Sequence, residues 1–150
     1  MLNKELDLST KQLPERLVLE FFNRVWYPPH ELDAIDELMT EDYTITTAGV
    51  VVKGRNSFKG WVGGFQKLLL EAKNESLDIF YNEAQNKVVS RWTSSGKNNG
   101  LFGLQADGEF VSFSGIAIWS IRDNRLSECW VERSAYELYK NLTSKEEQFV

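Results

Sequence analysis

The sequence predicts a single α+β domain in which three N-terminal helices lie on one face of an antiparallel sheet. Apolar residues recur at helical spacing as far as Lys73, and beyond it helical periodicity stops and strand-like runs alternate with turn residues. Helices first and a meander later is the order of an α+β fold, with the helices gathered on one face. A chain of 150 residues with 42% hydrophobic and 13% aromatic content is enough for one core. The domain is expected to span residues 1–150, with a core over about 11–142 and a loose tail at 143–150.

From Lys11 to Trp26, Leu13, Leu17, Val18, Phe21, Phe22, Val25 and Trp26 keep a helical period, with Ser9 or Thr10 as cap and Pro14 in the first turn. Pro28-Pro29 ends this helix and starts a short second one through Leu32, Ile35, Leu38 and Met39. Asp42–Thr47 reads as a strand, and Gly49–Gly54 as a hairpin or bend. A third helix carries Phe58, Trp61, Val62, Phe65, Leu68 and Leu69, capped by Asn56 or Ser57. Gly63-Gly64 inside it costs about 1 kcal/mol each, which close packing would explain. Strands follow over 76–83, 87–94, 109–121 and 126–135, separated by turns at Asn86, Gly96–Gly100, Ala106–Gly108 and Asp123-Asn124.

Charge and composition exclude several classes of function. Lys and Arg total 17 against 22 Asp and Glu, a formal charge of −5 with no basic cluster, so nucleic acid is not an expected partner. No segment approaches a membrane span and the N-terminus has no signal-peptide run, so a soluble, cytoplasmic protein is expected. One cysteine, Cys129, permits no internal disulfide and reads as a small buried hydrophobe. One histidine, His30, at a helix start, rules out a histidine triad or a multi-histidine metal site. Gly54–Gly60 lacks the Gly-Lys-Ser/Thr ending of a phosphate loop. No metal and no cofactor are expected.

The second half of the chain carries an ordered set of markers: Arg91-Trp92, Gly96, Gly100, Gly103, Gly108, Gly115, Leu126, Glu128 and Trp130. Trp26, the acidic stretch Asp33–Asp42 and Gly54 agree more loosely. In this order they resemble the SnoaL-like polyketide cyclases of the nuclear transport factor 2-like superfamily, over roughly Leu17–Leu142. The resemblance implies a cone-shaped, curved antiparallel sheet wrapped around three helices, the cystatin-like α+β roll. It also implies a pocket open at one end and a homodimer joined through the sheet. Two departures bear on chemistry: Asn98 stands where these cyclases often have His, and Ser134 where their acid–base Asp is expected.

Residues two apart in a strand share a face, so Leu126, Glu128, Trp130, Glu132 and Ser134 line one side of the last strand and Ser127, Cys129, Val131 and Arg133 the other. Periodicity leaves open which side is inside. The resemblance favours the side of Ser134, making Glu132 the expected acid–base group, with Glu128, Ser134 and Asn98 as the other catalytic candidates. Substrate walls are expected from Trp26, Tyr27, Thr46, Trp61, Phe65, Trp92, Phe113 and Trp130, since a flat apolar ligand needs aromatic surfaces and few polar groups. On this reading the protein is a cofactor-independent cyclase, isomerase or dehydratase acting on a small hydrophobic, polyketide- or terpenoid-like substrate. The alternative is a noncatalytic small-molecule-binding or assembly protein, because Asn98 and Ser134 replace the residues a cyclase would use. Val111, Phe113, Ile116 and Ile118 place apolar side chains on more than one face of a central strand and motivate the homodimer.

Overall fold

A computed structural model describes residues 11–147. Helix α1, Leu13–Arg24, turns Leu17, Val18, Phe21 and Phe22 into the core. Its cap is Gln12, whose backbone N–H donates to Glu15 Oε1 at 3.0 Å; Ser9 and Thr10 lie outside the described residues. The one-turn helix α2, Ala34–Leu38, runs directly into strand β1, Met39–Thr47. Arg24 on α1 grips Glu31 at 2.7 Å and also binds Glu37, while Lys59 on α3, Arg55–Leu68, holds Asp33 and Asp36 at 3.2 and 2.7 Å. These exposed pairs fix the short helix between its longer neighbours. The single histidine has a similar tethering role: His30 Nε2 lies 2.7 Å from the Ala72 carbonyl.

The remaining strands are β2 Val50–Lys53, β3 Leu69–Asn82, β4 Lys87–Asn98, β5 Phe110–Arg122 and β6 Arg125–Arg133. They form a six-stranded sheet in the order β2-β1-β6-β5-β4-β3. Neighbours are antiparallel except β1 and β6, which run parallel. That one pair departs from the all-antiparallel expectation: the chain returns to the first long strand only after the meander is complete. On β5 the alternation is strict, with Val111, Phe113, Gly115, Ala117 and Trp119 inward and Ile116 and Ile118 outward. Gly115 is required by a close approach, because a Cβ there would lie 2.3 Å from Cζ2 of Trp92, whose indole crosses it.

Helix α3 starts after Gly54, which has φ +94, rather than at Asn56 or Ser57. A Cβ on Gly63 would sit 3.5 Å from Leu32, whereas Gly64 faces open space, so close packing explains only the first of the two glycines. A fourth helix, α4 Ala135–Glu147, occupies what reads in the sequence as the end of a strand and the start of a tail. Its signal is slight: Leu138 and Leu142, one turn apart, are its buried leucines.

Candidate functional site

The concave face of the sheet and helices α1 and α3 line a small apolar cavity that opens to solvent at one end. Helix α1 contributes Phe21 and Phe22, with Trp26 just beyond it, and α3 contributes Phe58, Trp61 and Phe65. The inward residues of the strands complete the wall, among them Trp92 and Ser94 on β4, Phe113 and Trp119 on β5, and Cys129, Val131 and Arg133 on β6. The rings form a connected lining. Trp61 stacks on Phe65 at 6.0 Å, Phe65 meets Trp26 and Phe113 edge-on at 5.8 and 6.3 Å, and Phe113 meets Trp92 at 6.1 Å. Such edge and offset contacts hold aromatic walls in fixed orientations.

Burial distinguishes the two ends. Tyr43, Phe58, Trp119 and Cys129 are at most 2% exposed and form the closed end. Trp61, Phe65, Asn74 and Arg133 are partly exposed and mark the mouth. Cys129 and Arg133 are four residues apart on one strand, so the cavity runs roughly 13 Å along β6.

Each end has a polar centre. At the closed end, Tyr43 Oη and Trp119 Nε1 are buried without a hydrogen-bond partner. Trp119 and the Cys129 thiol lie near enough to the Tyr43 hydroxyl to affect its ionisation, though none of the three meets hydrogen-bond geometry. Burial pushes the Tyr43 phenol well above its ordinary value and the Cys129 thiol up to about 12. Both therefore stay protonated at neutral pH, and Cys129 is no thiolate nucleophile. At the mouth, the Arg133 guanidinium lies 5.4 Å from the centroid of the Trp61 ring, and its Nε is buried without a partner. Burial holds its pKa below the usual arginine value, yet arginine remains protonated in proteins.

The structure overturns the expected orientation of β6. Ser120 pairs with Glu128 and Ile121 with Leu126, so Ser127 is an extra residue, a β-bulge. A one-residue shift exchanges the faces of a strand. Leu126 and then Cys129, Val131 and Arg133 point inward, while Glu128, Trp130 and Glu132 lie on the outer face. Glu132 is exposed, and Trp130 is covered from outside by Lys87, whose Nζ stands 5.0 Å from its ring centroid. Thr46, paired with Trp130, shares that outer face. Tyr27 lines a separate pocket with Asn23 and Glu75.

Asn98 and Ser134 are also outside the cavity, and both serve the backbone. Asn98 is 1% exposed; its Nδ2 donates to the Gln105 carbonyl at 3.0 Å and to Asp107 at 2.9 Å, and its Oδ1 accepts from the N–H groups of Gly100 and Leu101. It organises the loop between β4 and β5. Ser134 Oγ accepts the Ser114 N–H at 3.0 Å, where β6 passes into α4. Of the expected wall residues, the structure brings Trp26, Trp61, Phe65, Trp92 and Phe113 together on one cavity. Sequence reasoning missed Tyr43, Trp119 and Arg133 as its polar centres. The three-residue step from Leu126 to Cys129 was the available signal, since it breaks the period of two.

A fold of this shape with an aromatic cavity bears directly on ancestry, and the model of the SnoaL-like domain matches residues 18–129. The chain belongs to the SnoaL-like family. Solved structures agree. A candidate SnoaL-like polyketide cyclase from Jannaschia shares 13% identity at a TM-score of 0.78, covering 91% of this chain and 96% of its own. A candidate polyketide cyclase from Acidithiobacillus ferrooxidans shares 17% at 0.81, covering 90% and 97%. A candidate hydroxylase from Streptomyces galilaeus shares 20% at 0.75, covering 87% and 96%. No curated protein matches the chain. At these identities the likeness concerns the fold, and the same SnoaL-like scaffold is associated with more than one chemistry. Among the described residues no helix is long and apolar enough to cross a membrane, and no group of three or more His, Cys, Asp or Glu is placed to hold a metal ion.

Proposed function

We propose that this SnoaL-like domain binds a small hydrophobic molecule in the aromatic cavity and carries out cyclase- or isomerase-type chemistry at a carbonyl of that ligand. The observation that supports this is the pair of orphaned donors, Tyr43 Oη and Trp119 Nε1, at the closed end of an otherwise apolar cavity. Buried donors without acceptors are costly in a folded protein, and a ligand carbonyl oxygen satisfies both. Donors aimed at that oxygen stabilise the negative charge that develops as a carbonyl becomes an enolate, the step that precedes ring closure or a double-bond shift. No carboxylate or imidazole lines the cavity among the described residues, so the proton leaving the α-carbon passes to a water admitted beside it with the ligand. This assigns catalysis to oxyanion stabilisation in place of a glutamate base.

Hydrogen–deuterium exchange at the α-carbon of 2-tetralone, followed by NMR, tests the proposal. The wild type is expected to accelerate exchange over buffer, and Tyr43→Phe, which keeps the ring and removes the donor, to lower that acceleration by about 10²-fold. Acceleration undiminished in Tyr43→Phe overturns the role of the donor pair. The lack of a lining base favours a second reading, a noncatalytic binding protein; ligand binding without any accelerated exchange would support it.

We also propose that a second copy of the chain covers the outer sheet face. Phe80, Val89, Ile118 and Trp130 form one row across four strands, with Ile116 in the next. Phe80, Ile116 and Ile118 are 57%, 52% and 38% exposed, and contiguous exposed apolar surface on this scale marks an interaction site. Val111 and Phe113 face inward and take no part. Light scattering at micromolar concentration is expected to give twice the 17.3 kDa of one chain; the monomer mass would overturn the dimer.

A further inference from the structure

The guanidinium of Arg133 is a half-buried charge at the cavity mouth, its Nε fully buried, and no carboxylate faces it from inside the cavity. Among the described residues it has no ion pair and no hydrogen bond; it lies over the face of Trp61, and its buried Nε is unpartnered. Of the six other described arginines, Arg24, Arg55, Arg91 and Arg122 sit against carboxylates, and Arg16 and Arg125 are exposed to water. Taking a cation out of water is costly unless an opposite charge accompanies it. Nothing in the cavity supplies that charge. Cys129 and Tyr43 stay protonated, and Glu132, adjacent in sequence, is on the far side of the sheet.

We propose that the counterion is the ligand: the cavity takes an aromatic or polycyclic monocarboxylate, its carboxylate seated on Arg133 at the mouth and its ring system between the aromatic walls. The inference rests on the reading of the cavity as a ligand pocket and narrows its substrate class. Geometry favours a carboxylate over a single anionic oxygen. A guanidinium offers parallel N–H groups along its Nε edge that match two carboxylate oxygens, and on Arg133 that edge is the unpartnered one. The contact of the Arg133 guanidinium with the Trp61 ring, 5.4 Å from its centroid, holds the fork at the mouth. The roughly 13 Å between Arg133 and Cys129 along β6 sets the reach of the ligand. A molecule of two or three fused rings, carboxylate at one end and carbonyl at the other, meets both polar centres at once.

Isothermal titration calorimetry with 2-naphthoate and 2-naphthamide, molecules of one shape that differ in charge, tests the inference at neutral pH. The wild type is expected to bind the carboxylate about 10- to 100-fold more tightly than the amide, the range of a charge-assisted hydrogen bond or pair of them. Arg133→Met keeps much of the side-chain volume and should abolish the preference while retaining the amide. Arg91→Met, which makes the same change in net charge on the outer face, should leave it intact, and thermal melts confirm that each variant is folded. Equal affinities in the wild type overturn the carboxylate assignment and leave the pocket reading standing. A preference that persists in Arg133→Met overturns the role of Arg133. Binding of neither probe overturns both readings.

Discussion

The two faces of the sheet hold matching residues in opposite circumstances. On the outer face Arg91 donates from Nε to Asp78 at 2.6 Å, and Trp130 is covered by a lysine. On the inner face Arg133 has no carboxylate, and Trp92 is packed so tightly that its partner strand must place a glycine beneath it. An exposed ion pair is worth little, because water solvates both charges anyway. At the cavity mouth, where water reaches it only in part, the same cation stands alone. Charge compensation is thus missing where its absence costs most, and this is a reason to look for function on the inner face.

Substitution of neighbours on β5 breaks the comparison most sharply. Gly115 faces inward under Trp92, so Gly115→Ala is expected to lose about 1–3 kcal/mol through overpacking. Ile116, the next residue, is 52% exposed, and Ile116→Ala should change the stability of the monomer by no more than about 0.5 kcal/mol. Urea denaturation of both variants measures the difference; equal losses would mean that the two faces are not distinct environments.

The buried thiol gives the next largest effect. Cys129 is held at about 12, above its unfolded value, so the stability it contributes is present below about pH 9 and is lost as pH rises from there towards 12. The wild type should lose more stability between pH 8 and 10 than Cys129→Val. A thiol reagent at pH 8 should modify the native protein only on the timescale of unfolding, and rapid labelling would contradict this burial.

Removing the lone cation sharpens the point about charge. Arg133→Met should leave the melting temperature unchanged or raise it, since an uncompensated buried charge is replaced by an apolar chain; a clear fall would reveal a stabilising partner. The smallest effects belong to the outer and rim charges. Glu132→Gln should alter neither melting temperature nor exchange of 2-tetralone, and a loss of exchange would return Glu132 to the mechanism. Arg122 holds the Asp42 carboxyl below its usual value of 3.8, with help from Thr40. That contribution is present above about pH 4 and is lost as pH falls further, so Asp42→Asn should flatten the acid limb of the stability profile slightly.

The sequence by itself determined the α1 and α3 helices, the succession of the long strands along the chain and five of the aromatics on the cavity wall. Spacing of 3.6 and of 2 turns directly into which side of an element is apolar, and Trp26, Trp61, Phe65, Trp92 and Phe113 are on elements that any such packing brings together. Only the tertiary structure decided which face of β6 looks inward. One extra residue at Ser127 turns Glu132 out and Arg133 in, because a strand has just two faces and a single inserted residue exchanges them. The roles of Asn98 and Ser134 were equally hidden, since their partners come from a loop seven to nine residues away and from a neighbouring strand. Pairing across strands fixes such contacts, and local sequence carries no record of register.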